Sequence, residues 1–380
     1  MKKIVILGAS DFQNPLILKA KEMGFETHVF AWRDGSIGER TADRFYPISI
    51  TEKEQILARC REIRPDAVTT IASDLGGAVA NDLSNQLGLS GNAPETSVIA
   101  SNKYQMRLAL RQAGIPTPGF VRVNRESGPE AIQGLHFPLI VKPTDRSGSR
   151  GVSRVSSLEE WFSAVRRACE QSFEGEAITE EYLTGQEYSC ECISYQGAHT
   201  FLALTQKYTT GSPHYIETAH IQPAILPEAL GAEVHRTVFA ALDALKIRNG
   251  ASHTELKIDS QGRIGIIEVG ARMGGDCIGS HLVPLSTGYD FVKMVVDTAC
   301  GNPPDLSQGA HYGASAIRFI YNEADLAILE RIRSSCPDRL KFVSDISMGS
   351  PDDIQDSSSR FGYFIVACES AEEAKRILKL

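Results

Sequence analysis

Two carboxylates stand near each other in the stretch HTELKIDSQGRIGIIEVGARMGGD, residues 253–276. Glu255 lies in one short strand-like run, and Glu268 closes a very apolar one, Ile264 to Ile267. A carboxylate at the end of a buried strand is costly unless something compensates its charge. The intervening DSQG is a turn signal. With a loop of two or four residues, Glu255 faces Ile266, His253 faces Glu268, and the two acids share one face as diagonal neighbours. Diagonal backbones lie about 7–8 Å apart, a gap that suits two carboxylates sharing cations. A loop of three or five residues would put the acids on opposite faces. Lys257 shares the face of Glu255 and supports a competing reading, a structural ion-pair cluster.

Upstream, LIVKPTDRSGSRGV sets Lys142 at a strand end, before a loop with Ser147, Gly148, Ser149, Gly151 and Val152. Glycine lets backbone N–H groups approach phosphate oxygens, hydroxyls add donors, and the lysine adds a point charge. This is not a P-loop, because the lysine precedes the glycines and no G-K-[ST] is present. A flexible hairpin tip is the commoner fate of a Ser/Gly loop. Lys103, in SNKYQMR, is by itself an ordinary helix lysine. In EEYLTGQEYS, Glu180, Glu181 and Glu187 flank the apolar pair Tyr182 and Leu183. An exposed backbone there could bond an adenine edge while a carboxylate takes ribose hydroxyls; an edge strand with solvated acids is the alternative. The run QKYTTGSPHYIETAHIQPA offers Tyr208, His214, Glu217 and His220 as pocket-lining residues, and His253 joins them by facing Glu268. Asp74, at a strand end, holds an amine or caps the helix that follows.

These groups need elements to position them. From the first residue, strand runs (KIVILGAS, ETHVFAW, DAVTTIASD) alternate with helical ones (PLILKAKEMGF, EKEQILARCREIR). This rhythm predicts a doubly wound parallel sheet, whose ligands approach the C-terminal strand ends. Mixed α+β follows, with EYSCECISY and HTFLALTQKY alternating as paired antiparallel strands, and the polar CGNPPDLSQGAHYG reading as a linker. The predicted units are an N-terminal Rossmann-like domain (1–98), two α+β lobes (99–185 and 186–302) and a C-terminal α+β lobe (303–380).

The chain has 380 residues, 42% apolar and 23% charged, the mix of an ordinary soluble globular protein. A formal charge of −8 argues against a nucleic-acid surface and a polybasic membrane patch. No apolar run approaches a membrane span, and the start reads as a strand rather than a signal peptide. Eight cysteines and nine histidines show no zinc spacing. The expectation is a cytoplasmic protein without nucleic-acid or membrane partners.

The order of the pieces discriminates better than any one of them. Lys103, then Lys142 with its glycine loop, then Glu180 to Glu187, then Glu255 and Glu268, then Arg272, resembles the ATP-grasp superfamily of carboxylate–amine ligases over nearly the whole chain. The resemblance implies a pre-ATP-grasp domain at 1–98 and ATP held between the lobes 99–185 and 186–302. Lys103 and Lys142 would contact phosphates under the loop from Ser147 to Val152. Glu180, beside Glu181, would take the adenine amino group, Tyr182 and Leu183 the ring edge through backbone, and Glu187 the ribose. Glu255 and Glu268 would bind Mg²⁺, which makes metal the expected compensating charge. The implied activity joins a carboxylate, such as an amino acid or a related acid, to an amine through an acyl phosphate, releasing ADP and phosphate. Arg272 would hold the oxygens of the reacting centre, with Gly274 and Gly275 bringing backbone N–H groups to it. A salt bridge from Arg272 to Asp276 is the structural alternative.

HTELK with EVGARMGGD looks closest to the L-amino acid ligase branch. Gly270 departs from the asparagine often found two residues after the second metal acid in the family. The C-terminal lobe makes a homodimer reasonable. A purine-pathway or carbamoyl-phosphate-type ligase, or an ATP-binding protein without chemistry, are the alternative readings. A nicotinamide-binding oxidoreductase is disfavoured: Asp34 sits near the expected acidic position, but GASDFQNP lacks the G-x-G-x-x-G spacing.

Overall fold

The computed structural model describes residues 1–212, 215–350, 354 and 356–380. The first apolar runs are strands buried on both faces, as a parallel sheet requires, except for the half-exposed edge strand at Arg44–Tyr46. They form β1 (Lys3–Leu7), β2 (Glu26–Phe30), β3 (Arg44–Tyr46) and β4 (Ala67–Thr69), all parallel, in the order β3-β2-β1-β4. The helices α1 (Asn14–Glu22), α2 (Ile37–Thr41), α3 (Lys53–Ile63) and α4 (Asp74–Leu87) connect and cover it. Ser73 caps α4 by accepting from the Gly76 N–H, so the first residue of that helix, Asp74, is free to point elsewhere. After α5 (Pro94–Ile99) comes α6 (Lys103–Gln112), capped by Asn102, which accepts from the N–H groups of Tyr104 and Gln105. Met106 and Leu110 of α6 enter the core of the second lobe, while Lys103 and Arg107, one turn apart, are buried toward the cleft.

A four-stranded antiparallel sheet makes the first lobe: β5 (Phe120–Val123), β6 (Leu139–Pro143), β7 (Ser153–Val155) and β8 (Ala177–Glu181), ordered β5-β8-β6-β7. Helix α7 (Leu158–Gln171) packs on it through Trp161, whose indole N–H donates to Thr179 Oγ1 at 3.0 Å. The second lobe carries β9 (Gln186–Tyr195), β10 (Ala198–Thr209), β11 (Glu217–Gln222), β12 (Gly250–Ile258) and β13 (Ile264–Gly270), backed by α8 (Glu228–Ala244). The short α9 (Val283–Thr287) and α10 (Phe291–Ala299) bring the chain back against the N-terminal domain.

Beyond the polar connector, β14 (Ala314–Phe319) bonds to β11, and β16 (Tyr363–Cys368) and then β15 (Leu340–Val343) extend the same sheet, in the order β13-β12-β9-β10-β11-β14-β16-β15. The last helices, α11 (Glu323–Ser335) and α12 (Ala371–Leu378), cover that end. Among the described residues, no helix is long and apolar enough to cross a membrane.

Candidate active site

The β12–β13 hairpin closes with Ile258 opposite Ile264, so its loop has five residues, Asp259 to Arg263. That loop alone would send the two acids to opposite faces. The register then shifts between Glu255 and Leu256: Leu256 pairs with Ile266, but Glu255 pairs with Glu268, which leaves Ile267 as an extra residue in β13. A bulge of this kind turns two consecutive residues toward one partner. Ile267 and Glu268 both line the cleft, while Ile266 and Val269 enter the apolar core. The expected diagonal arrangement is therefore corrected. The two carboxylates oppose each other directly, and His253 faces Gly270 instead of Glu268.

The charges around them differ from the sequence expectation as well. Lys257 is not the direct partner of Glu255; its ammonium lies 4.6 Å from the centroid of the Tyr182 ring and acts on Glu187 from a distance. The partner of Glu255 is Lys207, from β10, which also stands 3.4 Å from Glu187 and 3.6 Å from Glu217. Burial alone would lower the Lys207 pKa, but the three carboxylates outweigh it and hold it well above the usual lysine value. Burial likewise pushes Glu255 up, and Lys207 and His253 more than reverse that. Glu268 takes Lys103 Nζ at 2.8 Å, and the same ammonium donates to the Arg146 carbonyl at 2.6 Å. Burial raises the Glu187 pKa despite Lys207.

Glu180 is 4% exposed, and its carboxylate is already taken: Arg107 donates from Nε at 2.7 Å and Nη2 at 3.2 Å, and Lys142 Nζ lies 2.8 Å away. Burial would raise its pKa, yet the two cations hold it at about 2. Lys142, sharing that acid with the stronger guanidinium, is lowered by burial. Both oxygens of Glu180 are thus engaged by cations, where the expectation was an adenine amino group. Glu181 is also engaged, accepting from the Gly119 N–H at 3.2 Å and pairing with His136 at 2.9 Å. The Tyr182 N–H donates to the Pro138 carbonyl at 3.1 Å, and Leu183 packs over Gly265.

Ser147, Gly148, Ser149 and Val152 line the cleft opposite the acids. Gly148 and Ser149 have φ of 70° and 60°, so the tip turns through left-handed backbone. Gly151 is not part of the lining; a Cβ there would meet Pro143 Cγ at 3.0 Å, so its role is loop packing.

Arg272 does not bridge to Asp276. It pairs with Asp74: Nη2 donates to Oδ2 at 2.9 Å, and Nε lies 2.8 Å from Oδ1 without a hydrogen bond. Asp276 instead holds Arg360 (2.6 and 3.0 Å) and His220 (3.3 Å). Neither Gly274 nor Gly275 lines the cleft. The Gly274 N–H donates to Glu191 Oε2 at 3.1 Å, and Gly275 packs near Ala72. Glu191, fully buried, also binds His253 Nδ1 at 2.5 Å, while Nε2 of that ring lies 3.3 Å from Glu255. Burial alone would lower the His253 pKa; Glu191 outweighs it and holds it at about 9.

Among the expected substrate residues, Asp74, Glu217 and His253 line the cleft. Tyr208 alternates to the opposite face of β10 and packs into the C-terminal core, and His214 lies outside the described residues. Sequence reading missed Arg107, Lys207, Glu191 and Tyr215. Arg107 is four residues after Lys103 on α6, and Glu191 is four after Glu187 on β9, so both share a face with a residue already singled out.

The position of Gly270 also has a steric cause. A Cβ there would lie 2.8 Å from Asp74 Oδ1 and 3.3 Å from Arg272 Cζ. The ion pair from the N-terminal domain fills the space that a side chain would need.

The donor set fits a hard divalent cation in one respect: Glu255 and Glu268 offer two facing carboxylates, and Mg²⁺ commonly uses one or two with the remainder from phosphates and water. Among the described residues, no three His, Cys, Asp or Glu side chains form a metal-holding group by themselves. The pair therefore suits an ion that arrives with phosphate oxygens.

Residues 135–280 match the ATP-grasp domain family. The chain is 28% identical over 280 residues to alanine–anticapsin ligase of Bacillus subtilis, a match covering 67% of this chain and 58% of that protein. It thus spans little more than half the length of that relative. Against D-alanine–D-alanine ligase of Methylococcus capsulatus it is 26% identical, over 77% of this chain and 93% of the other. In three dimensions it resembles the crystal structure of an L-amino acid ligase from Bacillus licheniformis, with a TM-score of 0.83 and 23% identity over 100% of this chain and 96% of that one. The ADP complex of N5-carboxyaminoimidazole ribonucleotide synthetase aligns with a TM-score of 0.80 at 18% identity, over 100% and 95%. Residues 135–280 thus match an ATP-grasp domain, and the chain shares the fold of these solved structures along its whole length.

Proposed function

We propose that this chain is an ATP-dependent carboxylate–amine ligase that activates an amino acid or a related acid as its acyl phosphate and passes the acyl group to an amine. The observation that carries the reading is the direct opposition of Glu255 and Glu268 in one cleft with Lys103, Lys142 and the serine–glycine loop. The relatives alanine–anticapsin ligase and D-alanine–D-alanine ligase, named for joining amino acids, favour it over a binding protein without chemistry.

A carboxylate resists amines in water because its leaving group would be oxide; transfer of the γ-phosphoryl group supplies a better one. Mg²⁺, held by Glu255 and Glu268, would neutralise charge during that transfer. Lys103 and Lys142 bind phosphate oxygens, and the loop from Ser147 to Val152 keeps water from the activated acid. Arg272, kept cationic and oriented by Asp74, presents a planar fork to the oxygens of the reacting centre.

The test is ADP release by the purified protein with Mg-ATP across a panel of amino acids, against a blank without amine. Amine-dependent release is expected, and Glu255→Gln or Glu268→Gln is expected to abolish it in a folded protein. Unchanged turnover in either variant removes the metal assignment; no amine dependence with any member of the panel removes the ligase reading.

A further inference from the structure

Both carboxylates read as metal donors already hold an ammonium group. Lys207, 4% exposed, touches Glu255 and sits 3.4 Å from Glu187 and 3.6 Å from Glu217. Lys103, 6% exposed, lies 2.8 Å from Glu268. A divalent cation arriving alone would have to displace these groups from Glu255 and Glu268 and sit beside two buried ammoniums, an unfavourable exchange. A triphosphate changes the balance, because it brings several anionic oxygens that can accept the lysines while the metal takes the carboxylates.

Resting on the ligase reading, we propose that Lys207, aided by Lys103, is a resident counter-ion that excludes divalent metal from the Glu255–Glu268 pair until a nucleoside triphosphate is present. Metal and nucleotide then load together, and free metal does not occupy the site. Lys207 is the more telling of the two, since it answers three carboxylates that converge from β9, β11 and β12. Its removal leaves that cluster with Lys257 turned away onto Tyr182 and with His253 shared with Glu191.

The experiment is Mn²⁺ titration of the full chain, read by electron paramagnetic resonance, with and without a non-hydrolysable ATP analogue. Wild type is expected to take up Mn²⁺ only with the analogue. Lys207→Met is expected to bind Mn²⁺ without nucleotide, roughly tenfold or more tightly than wild type, as loss of one nearby positive charge allows. Adding Glu255→Gln to that variant should remove the uptake, which locates the ion, and Lys207→Arg should keep the exclusion. If Lys207→Met does not fold, the wild-type comparison still decides. Equal Mn²⁺ affinity with and without the analogue overturns the counter-ion role while leaving the metal site intact. No uptake under either condition overturns the metal assignment itself.

Discussion

Glu180→Gln separates two accounts of one buried acid. As a counter-ion it satisfies Arg107 and Lys142; as an adenine reader it would be idle without nucleotide. The cations hold its pKa at about 2 against an ordinary 4.5, and a displacement of that size corresponds to roughly 3 kcal/mol of pairing. Counting contacts leads to the same range: breaking a buried pair by removing one partner costs about 3–5 kcal/mol. Here the variant strands two cations, one of them a guanidinium with no exposure at all. For a chain of 380 residues the unfolding entropy is roughly 0.8 kcal/mol/K, so about 3 kcal/mol lowers Tm by about 4 °C if the chain melts as one unit. The sign with pH follows from the depressed folded value: the contribution is whole above about 4.5 and fades as pH falls toward 2. Thermal melts of parent and variant, followed by circular dichroism, should differ by about 4 °C or more near neutral pH and converge at acid pH. A gap below about 1 °C near neutrality, or one that does not narrow in acid, refutes the counter-ion account. Under the adenine account the variant would melt normally and lose its preference for ATP over GTP, read as nucleotide protection in the same melts.

Other perturbations test the seam between the N-terminal domain and the second lobe. Gly270→Asn would drive a side chain into Asp74 Oδ1 and the Arg272 guanidinium; amine-dependent ADP release should fall sharply, and higher Mg²⁺ should not restore it. Asp74→Ala removes one partner of the Arg272 fork, and calorimetry should show a loss of about 3 kcal/mol. Gly274→Ala would bring a methyl group within 2.7 Å of His253 Nδ1 and 2.9 Å of Glu191; overpacking of that kind costs about 1–3 kcal/mol, and turnover should drop with it while Gly275→Ala, with 3.6 Å to Ala72, stays near normal.

The parts of this site that were legible in the sequence are those set by local pattern. The alternation of β12 put His253, Glu255 and Lys257 on one face, and Asp74 was placed at a strand end, although the cap of the following helix is Ser73 and not Asp74. The parts that were not legible depend on register and on pairing across long separations. Nothing in IGIIEVG announces that Ile267 is supernumerary, since a bulge is a choice between two strands. The partners Arg107–Glu180 and Asp74–Arg272 are 73 and 198 residues apart, and a lone arginine or aspartate carries no signal of its mate. Lys207 belongs with these: it has the parity of Thr205 on β10, but that Thr205 pairs with Ser189, beside Glu255, is a matter of register.

The bulge and the Asp74–Arg272 pair act on the same problem from opposite sides. A five-residue loop would have left Glu268 facing the core, where its charge has no partner; the extra residue turns it toward Lys103. The strand then ends at Gly270, a position that must be bare because Asp74 reaches across from the N-terminal domain to hold Arg272 beside it. Had a side chain stood at 270, Arg272 would lose its partner or the domains would have to separate. The absence of a side chain at this point is therefore the condition under which an N-terminal carboxylate can orient a cation at the end of β13. It also follows that the N-terminal domain is a working wall of the cleft: changes at the start of α4 should alter turnover through Arg272 even where they leave nucleotide binding unaffected.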